Sequence, residues 1–150
     1  AYREDVVTAK KSGRKPESVY QDLRAGAESG WDFSSRWLRD GKSIETIHTT
    51  EIAPIDLNAL LYQYEMILSE GYAATNSPAY AKSFLELANK RKGLIDKYLW
   101  NEQAGFYFDY DFVAGKQKEV YSLAGVYPLF FKMVTPQQAE KVAKVIEAKF

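Results

Sequence analysis

The 150-residue sequence contains no cysteine, one histidine and no excess of charge of either sign. Without cysteine, the chain can form neither a disulfide framework nor a thiolate zinc site. The single histidine, His48, has no partner motif, so we interpret it as a structural residue. Because 20 basic residues balance 20 acidic ones, the chain lacks the basic surface of a general nucleic-acid-binding protein.

Several segments that mark other protein classes are also missing. The longest apolar stretch, Val120–Val134, contains Pro128 and Lys132 and is too short to span a membrane. There is no glycine-rich nucleotide-binding loop and no G-x-S-x-G nucleophile elbow. We therefore expect no membrane or nucleic-acid partner, and neither a cofactor nor a metal.

Aromatic residues, in contrast, are abundant: 11 Tyr, 8 Phe and 3 Trp. One interpretation is a well-packed core, because aromatic side chains bury large apolar areas. A second is a sugar-binding cleft, because flat rings suit the apolar faces of pyranose rings. Composition alone leaves both interpretations open.

Helical periodicity dominates the chain and predicts an all-α fold. The predicted helices follow Pro16 and then cover Asp56–Glu70, Pro78–Leu99, Val120–Val134 (bent near Pro128) and Pro136–Phe150. Residues 56–70 and 120–134 are apolar, whereas the two helices that follow them are amphipathic. This alternation indicates inner and outer helices, as in an α/α toroid or an α-hairpin array. Residues 100–111, with a central Gly105, predict a short β-hairpin.

Helix ends carry recognisable signals. Asp56 and Ser77 are predicted N-caps, and Gly71 is predicted to end the helix that Asp56 begins. Thr135 and Gln138 have the spacing of a capping box. Asp109 and Asp111 share one face of the predicted hairpin, where they form either surface caps or, less simply, a cation site.

Asp32 is the carboxylate best placed for chemistry. It lies between Trp31 and Phe33 in a predicted loop, Gly30–Trp37, that enters a helix. Two neighbouring rings are expected to desolvate the carboxyl, which would raise its pKa and suit it to donate a proton. The alternative is a buried aspartate paired with Arg24 or Arg36, and the residues alone favour neither.

Residues 22–37, DLRAGAESGWDFSSRW, resemble the most characteristic stretch of the family 37 trehalases. The similarity continues through residues 49–50, 54–60, 98–100 and 105–111, and so covers essentially the whole chain. The resemblance implies an (α/α)6 toroid that hydrolyses α,α-trehalose to two glucose molecules with inversion. It implies that Asp32 is the general acid and that Gly30 contacts the substrate through its backbone, and we add Trp31 as a substrate-binding residue.

The family's catalytic base lies in a glycine-rich Glu-Tyr segment that residues 1–150 do not contain. We therefore expect residues 1–150 to be part of the (α/α)6 catalytic domain of a larger chain, and inactive in isolation. The location is open between the bacterial periplasm and the cytoplasm. The alternatives are a related α-glucosidase with another substrate and a non-catalytic helical carbohydrate-binding module.

Overall fold

A computed structural model describes residues 2–150, most of which are helical, as the sequence predicts. The chain divides into two compact units: the first comprises Ala1–Ile52 with Asp111–Gly115, and the second comprises Ala53–Tyr110 with Lys116–Phe150. The α-helices are α1 (Tyr2–Ser12), α2 (Pro16–Glu28), α3 (Ile55–Ala74), α4 (Pro78–Tyr98), α5 (Tyr127–Phe130) and α6 (Pro136–Lys149). The strands are β1 (Ile52–Ala53), β2 (Trp100–Asn101), β3 (Phe106–Tyr107), β4 (Asp109–Asp111) and β5 (Lys116–Lys118).

The first unit is built on the helix pair α1 and α2, which pack against each other. α2 begins at Pro16, as predicted, because proline lacks the N–H that would be unsatisfied there anyway. Three 3-10 helices follow: Ser35–Trp37, Ile44–Thr46 and Thr49–Glu51. The buried core of this unit consists of Ala9, Val19, Leu23, Trp37, Leu38, Ile47 and Ile52.

The second unit is built on α3 and α4, which pack against each other. The predicted hairpin is confirmed: β2 and β3 are antiparallel, with Trp100 opposite Tyr107 and Asn101 opposite Phe106. Gly105 turns between them at φ +62, a left-handed conformation that suits glycine. A second small sheet has the strand order β1-β4-β5, with most of its residues in this unit.

The start of α3 differs from the prediction. Asp56 lies inside the helix rather than at its N-cap, because the helix already begins at Ile55. The backbone N–H of Ile55 donates instead to Asp109 Oδ1 at 3.0 Å, so a residue distant in sequence satisfies an N–H group that has no partner within the helix. Asp109 is buried. The predicted surface cap is therefore wrong: the carboxylate does cap a helix, but it lies in the interior.

Of three further predicted end signals, one is wrong, one is confirmed in its position and one is confirmed in full. α3 continues through Gly71 to Ala74, since an isolated glycine lowers helix stability without stopping a helix. Ser77 is the N-cap residue of α4 and Pro78 lies in its first turn, as predicted, although the Ser77 side chain makes no cap hydrogen bond. The capping box of α6 is present, with Thr135 and Gln138 each accepting a backbone N–H of the other.

The single bent helix predicted for Val120–Val134 is wrong. This segment forms a 3-10 helix, Leu123–Val126, followed by the four-residue helix α5 and then irregular backbone. Pro128 lacks a donor, and Lys132 has φ +55, which takes the chain out of the helical region. Gly125 packs so closely on the hairpin that an added Cβ would lie 2.4 Å from the Phe106 ring and 2.6 Å from the carbonyl oxygen of Tyr107.

Candidate functional site

Asp32 lies in a tight turn that follows α2. The backbone N–H of Trp31 donates to Ser29 Oγ at 3.1 Å. The carbonyl oxygen of Trp31 accepts from the backbone N–H of Ser34 at 2.6 Å and from the indole N–H of Trp37 at 3.0 Å. These bonds fasten both ends of the turn, which leaves Asp32 at its tip.

Beneath this turn lies a layer of buried side chains. Trp37 is almost fully buried, and the Arg36 side chain is fully buried beside it. The Arg36 guanidinium lies 4.4 Å from the centre of the Trp37 ring and 5.4 Å from that of the Trp31 ring, a cation–π arrangement. The residues that follow Asp32 therefore anchor the turn in the core of the first unit.

Asp32 itself is exposed. Together with side chains of α1 and α2 it lines a cavity of about 540 Å³, whose other lining residues are Tyr2, Glu4, Asp5, Tyr20, Leu23, Arg24, Ala27 and Phe33. The predicted substrate-binding residues Gly30 and Trp31 do not line this cavity. Several aromatic rings and several carboxylates thus surround one open space.

Two expectations about the surroundings of Asp32 are wrong. Since Asp32 is exposed, the rings on either side of it do not desolvate its carboxyl. The alternative of a buried, arginine-paired aspartate fails for the same reason, and Arg24 pairs instead with Glu28 at 2.8 Å. The peptide bond between Asp32 and Phe33 is cis.

Asp22 is a buried carboxylate of the first unit that the sequence patterns do not mark. Its Oδ2 lies 2.6 Å from the Arg14 guanidinium, which also donates to the carbonyl oxygen of Ile47. Its Oδ1 accepts from the backbone N–H of Thr50 at 2.9 Å and from its hydroxyl at 2.7 Å. Because the Thr50 bonds span 28 positions of sequence, no local pattern marks Asp22. The network ties α2 to the 3-10 helix Thr49–Glu51.

His48, Glu51 and Asp111 are the described residues whose ligand atoms lie close enough together to hold a cation. His48 Nδ1 lies 3.4 Å from Glu51 Oε2 and 3.5 Å from Asp111 Oδ2. The Arg39 guanidinium, however, binds the same Glu51 oxygen. A positive group therefore already occupies this position, and we interpret the cluster as an ion-pair network.

The charge state of Asp111 fits this interpretation. Burial alone would raise the pKa of its carboxyl, but hydrogen bonds from the backbone N–H groups of Ala114 and Val113 and the charges of His48 and Arg39 lower it overall. Asp111 is buried, and it accepts hydrogen bonds from the turn that follows β4. The carboxylate is thus ionised and occupied by structural partners.

Carboxylates of the second unit also have structural partners. Glu65 accepts two hydrogen bonds from Arg91, at 2.7 and 3.0 Å, in a bidentate pair. Arg91 also donates to Asn58 Oδ1 at 3.1 Å. Asp56 is buried near the start of α3. Within the described residues, the carboxylate that combines exposure, an anchored turn and a cavity with aromatic walls is Asp32.

A family model described as trehalase matches residues 1–150, the entire chain. The chain belongs to the trehalase family. It is 43% identical to the periplasmic trehalase of Salmonella typhimurium over 146 residues, which cover 97% of this chain and 26% of that protein. The family resemblance inferred from residues 22–37 is thereby confirmed.

Solved structures agree with this assignment. The chain is similar to the neutral trehalase of Saccharomyces cerevisiae, with a TM-score of 0.73 and 26% identity, over 89% of this chain and 24% of that one. It is also similar to a mannosylglycerate hydrolase of Thermus thermophilus, with a TM-score of 0.59 and 24% identity, over 73% of this chain and 27% of that one. The trehalase similarity confirms the predicted fold class, a part of an (α/α)6 toroid.

The chain spans about a quarter of the length of these trehalases. Within residues 2–150, no helix has both the length and the apolar character needed to cross a lipid bilayer.

Proposed function

We propose that the chain is part of a glycoside hydrolase that cleaves α,α-trehalose into two glucose molecules with inversion, and that Asp32 is its general acid. The observation that carries this proposal is the place of Asp32 in a trehalase-family chain. Its carboxyl is exposed at the tip of an anchored turn and lines a cavity of about 540 Å³. A proton donor needs access to its substrate, and the exposure of Asp32 at this cavity supports the proposed role.

The proposed chemistry requires two carboxyl groups. Asp32 would donate its proton to the glycosidic oxygen while the bond from that oxygen to the anomeric carbon breaks. A water molecule would attack the same carbon from the opposite face and lose its proton to a second carboxylate. Inversion places the two carboxyl groups roughly 6.5–9.5 Å apart, so that the water fits between them. We place the base outside residues 1–150.

Aromatic rings at the cavity support a sugar substrate. Tyr20 and Phe33 line the cavity and expose 37% and 45% of their surface, so the rings are free to pack on a pyranose. Gly30, whose backbone is exposed, and Trp31 remain proposed substrate-binding residues. They would act from the turn beside Asp32 rather than from the wall of this cavity.

Replacing Asp32 tests the proposed acid. In the full-length protein that contains this chain, Asp32→Asn is expected to lower kcat for trehalose by roughly 10²–10⁴-fold, because an amide cannot give a proton to the departing glucose. Glucose release measures the loss, and thermal unfolding measures folding. Since Asp32 is exposed, we expect the melting temperature to change little.

A substrate with a better leaving group separates acid catalysis from general damage. α-D-Glucosyl fluoride releases fluoride, which departs without a proton, so Asp32→Asn is expected to lower its hydrolysis far less than that of trehalose. Glu28→Gln, at an exposed carboxylate of α2, serves as the matched control and is expected to keep full activity. If Asp32→Asn hydrolyses both substrates equally poorly, Asp32 is not the acid.

Product analysis and a substrate panel test the remaining parts of the proposal. Inversion predicts one β-glucose and one α-glucose per trehalose, which NMR of fresh product distinguishes. Turnover of another α-glucoside in preference to trehalose would favour the related α-glucosidase. Absence of turnover with sugar binding retained would favour the non-catalytic carbohydrate-binding module.

We also infer a periplasmic location, supported by the 43% identity to the periplasmic trehalase of Salmonella typhimurium. Release of the full-length protein by osmotic shock of its host cells tests this location. Retention in the spheroplasts alongside a cytoplasmic marker would contradict it.

A further inference from the structure

Phe33, the residue after Asp32, lies between the cavity and α2. Its ring lines the cavity beside Asp32. The ring also approaches the backbone of Gly26, where an added Cβ would lie 3.1 Å from Phe33 Cδ1 and 3.2 Å from Cε1. The same Cβ would lie 3.4 Å from Ile47 Cδ1. The Phe33 ring therefore packs directly against the backbone of Gly26.

Gly26 is not required by the backbone conformation. It lies within α2, whose geometry any L-residue adopts, and glycine is less favourable than alanine inside a helix. Gly71 in α3 and Gly93 in α4 are helical glycines around which an added Cβ would meet nothing within 4 Å. Space for Phe33 is thus the physical reason for a glycine at position 26.

We propose that Gly26 is a positioning residue, which sets the place of the Asp32 carboxyl by leaving room for the Phe33 ring on α2. This inference rests on the proposed role of Asp32 as the acid. The Trp31 carbonyl is fastened by the backbone N–H of Ser34 and the indole of Trp37. Asp32 is therefore anchored on both sides in the sequence. The hydrogen-bonded carbonyl of Trp31 is the anchor before it, and the Phe33 ring packed on Gly26 is the anchor after it.

A methyl group at position 26 moves this second anchor. At 3.1–3.2 Å the ring has to shift by a few tenths of an ångström. Since Phe33 is bonded directly to Asp32, the shift passes to the carboxyl. Proton transfer depends steeply on geometry, and a misplacement of about 1 Å can lower a rate by about 10²-fold.

The test is Gly26→Ala in the full-length protein. We expect kcat for trehalose to fall about 3- to 10-fold, as a shift of a few tenths of an ångström implies, with a smaller change in KM and with the folded protein retained. Hydrolysis of α-D-glucosyl fluoride is expected to fall much less, because fluoride leaves without the proton of Asp32. A general structural defect would lower both activities equally, and that result would overturn the proposal.

Two variants sharpen the comparison. Gly93→Ala, the matched helical glycine with open space around it, is expected to keep full activity. Phe33→Leu is expected to lower activity on its own, but in the Gly26→Ala background the smaller side chain is expected to relieve the clash. We therefore expect the double variant to be more active than the product of the two single effects predicts. Independent, multiplicative effects would overturn the proposal.

The test of Gly26 can be distinguished from the test of the proposed substrate, trehalose. If the parent protein prefers another α-glucoside, the same comparison is made with that substrate, and only the trehalose assignment fails. A crystal structure of Gly26→Ala gives a readout without activity: the Asp32 carboxyl is expected to move relative to the Trp37 ring. An unmoved carboxyl, or an unchanged kcat, would overturn the role of Gly26.

Discussion

At the scale of single residues, Asp40 illustrates how one exposed carboxylate organises a loop. Its Oδ1 accepts from the backbone N–H of Ser43 at 2.8 Å, from that of Lys42 at 2.9 Å, and from the Thr46 hydroxyl at 2.8 Å. The bond from the Ser43 backbone is foremost among those that hold the pKa of this carboxyl well below its usual range. The bonds favour the ionised form, and so they favour the folded loop as long as Asp40 is charged.

The depressed pKa predicts a pH-dependent contribution to stability. A carboxyl whose folded pKa is lowered stabilises the fold above its unfolded value, near 3.8, and loses that contribution as the pH falls towards the folded pKa. Asp40→Ala is therefore expected to lower the free energy of unfolding at pH 7 and to matter less below about pH 3. Urea unfolding of the parent and the variant, at pH 7 and below about pH 3, measures this difference in unfolding free energy.

Asp40→Asn provides the control, because the amide oxygen still accepts hydrogen bonds but carries no charge. Its unfolding free energy is expected to depend less on pH in this range than that of the parent. An Asp40→Ala deficit of the same size at pH 7 and at low pH would refute the electrostatic explanation.

The burial and the contact partners of the site residues are the features that the sequence predicts least well. Asp32 was identified as the candidate acid, yet the desolvation expected from Trp31 and Phe33 does not occur. The ring of Phe33 packs on Gly26 while the carboxyl stays exposed. Adjacency along a chain does not determine which side chain covers which, since that depends on the backbone path. Asp22 was missed because Thr50 reaches it only through the fold.

At the scale of elements, α3 and α4 are joined by a polar clamp. Arg91 on α4 binds Glu65 on α3 through two hydrogen bonds and Asn58 through a third. The Asn58 amide in turn donates to the carbonyl oxygen of Pro54 at 2.8 Å. The clamp thus connects the middle of α4 with the beginning of α3, the end that Asp109 also holds.

Removing the clamp is expected to destabilise the second unit. Arg91→Met keeps much of the side-chain volume but leaves the largely buried Glu65 without its partner, which is expected to cost about 1.5–3 kcal/mol. Denaturant unfolding monitored by far-ultraviolet circular dichroism measures the change. Lys82→Met breaks the exposed ion pair with Glu86 on the same helix and is expected to have little effect. Equal losses of unfolding free energy in the two variants would show that the burial of an ion pair does not determine how much its removal destabilises the protein.

The elements themselves were largely predictable where periodicity was long and regular. α4 and α6 begin at the predicted residues Pro78 and Pro136, and the hairpin lies within residues 100–111. The prediction of one helix for the apolar run Val120–Val134 is wrong because hydrophobicity alone does not distinguish a helix from irregular backbone. The close approach of Gly125 to Phe106, a tertiary contact, decides that local structure.

At the scale of the whole molecule, the second unit exposes an extensive apolar surface. A cavity of about 510 Å³ in this unit is lined by Leu60, Leu123, Val126, Tyr127, Phe130 and Phe131. Further exposed apolar side chains on α3 are Leu57, Leu61, Tyr64 and Ile67. Patches of this kind mark surfaces that bind other protein or that drive aggregation.

We expect residues 1–150, produced alone, to self-associate and to release no glucose from trehalose, because apolar side chains are exposed and the proposed base is absent. Light scattering and a glucose assay measure the two outcomes. Leu60→Lys with Phe130→Glu is expected to increase the monomer fraction, whereas Val113→Lys, at an exposed site of the first unit, is not. Robust turnover by residues 1–150 would mean that a second carboxylate within them completes the site.

The contact between Gly125 and Phe106 has an evolutionary consequence. Any side chain at position 125 would overlap the Phe106 ring and the Tyr107 carbonyl oxygen. A smaller residue at position 106 would relieve only the first overlap, because the second is with the backbone. Positions 71 and 93 carry no such restriction, because the space around them is open. Among natural variants of this chain, position 125 is therefore expected to remain glycine, whereas positions 71 and 93 are expected to accept other residues.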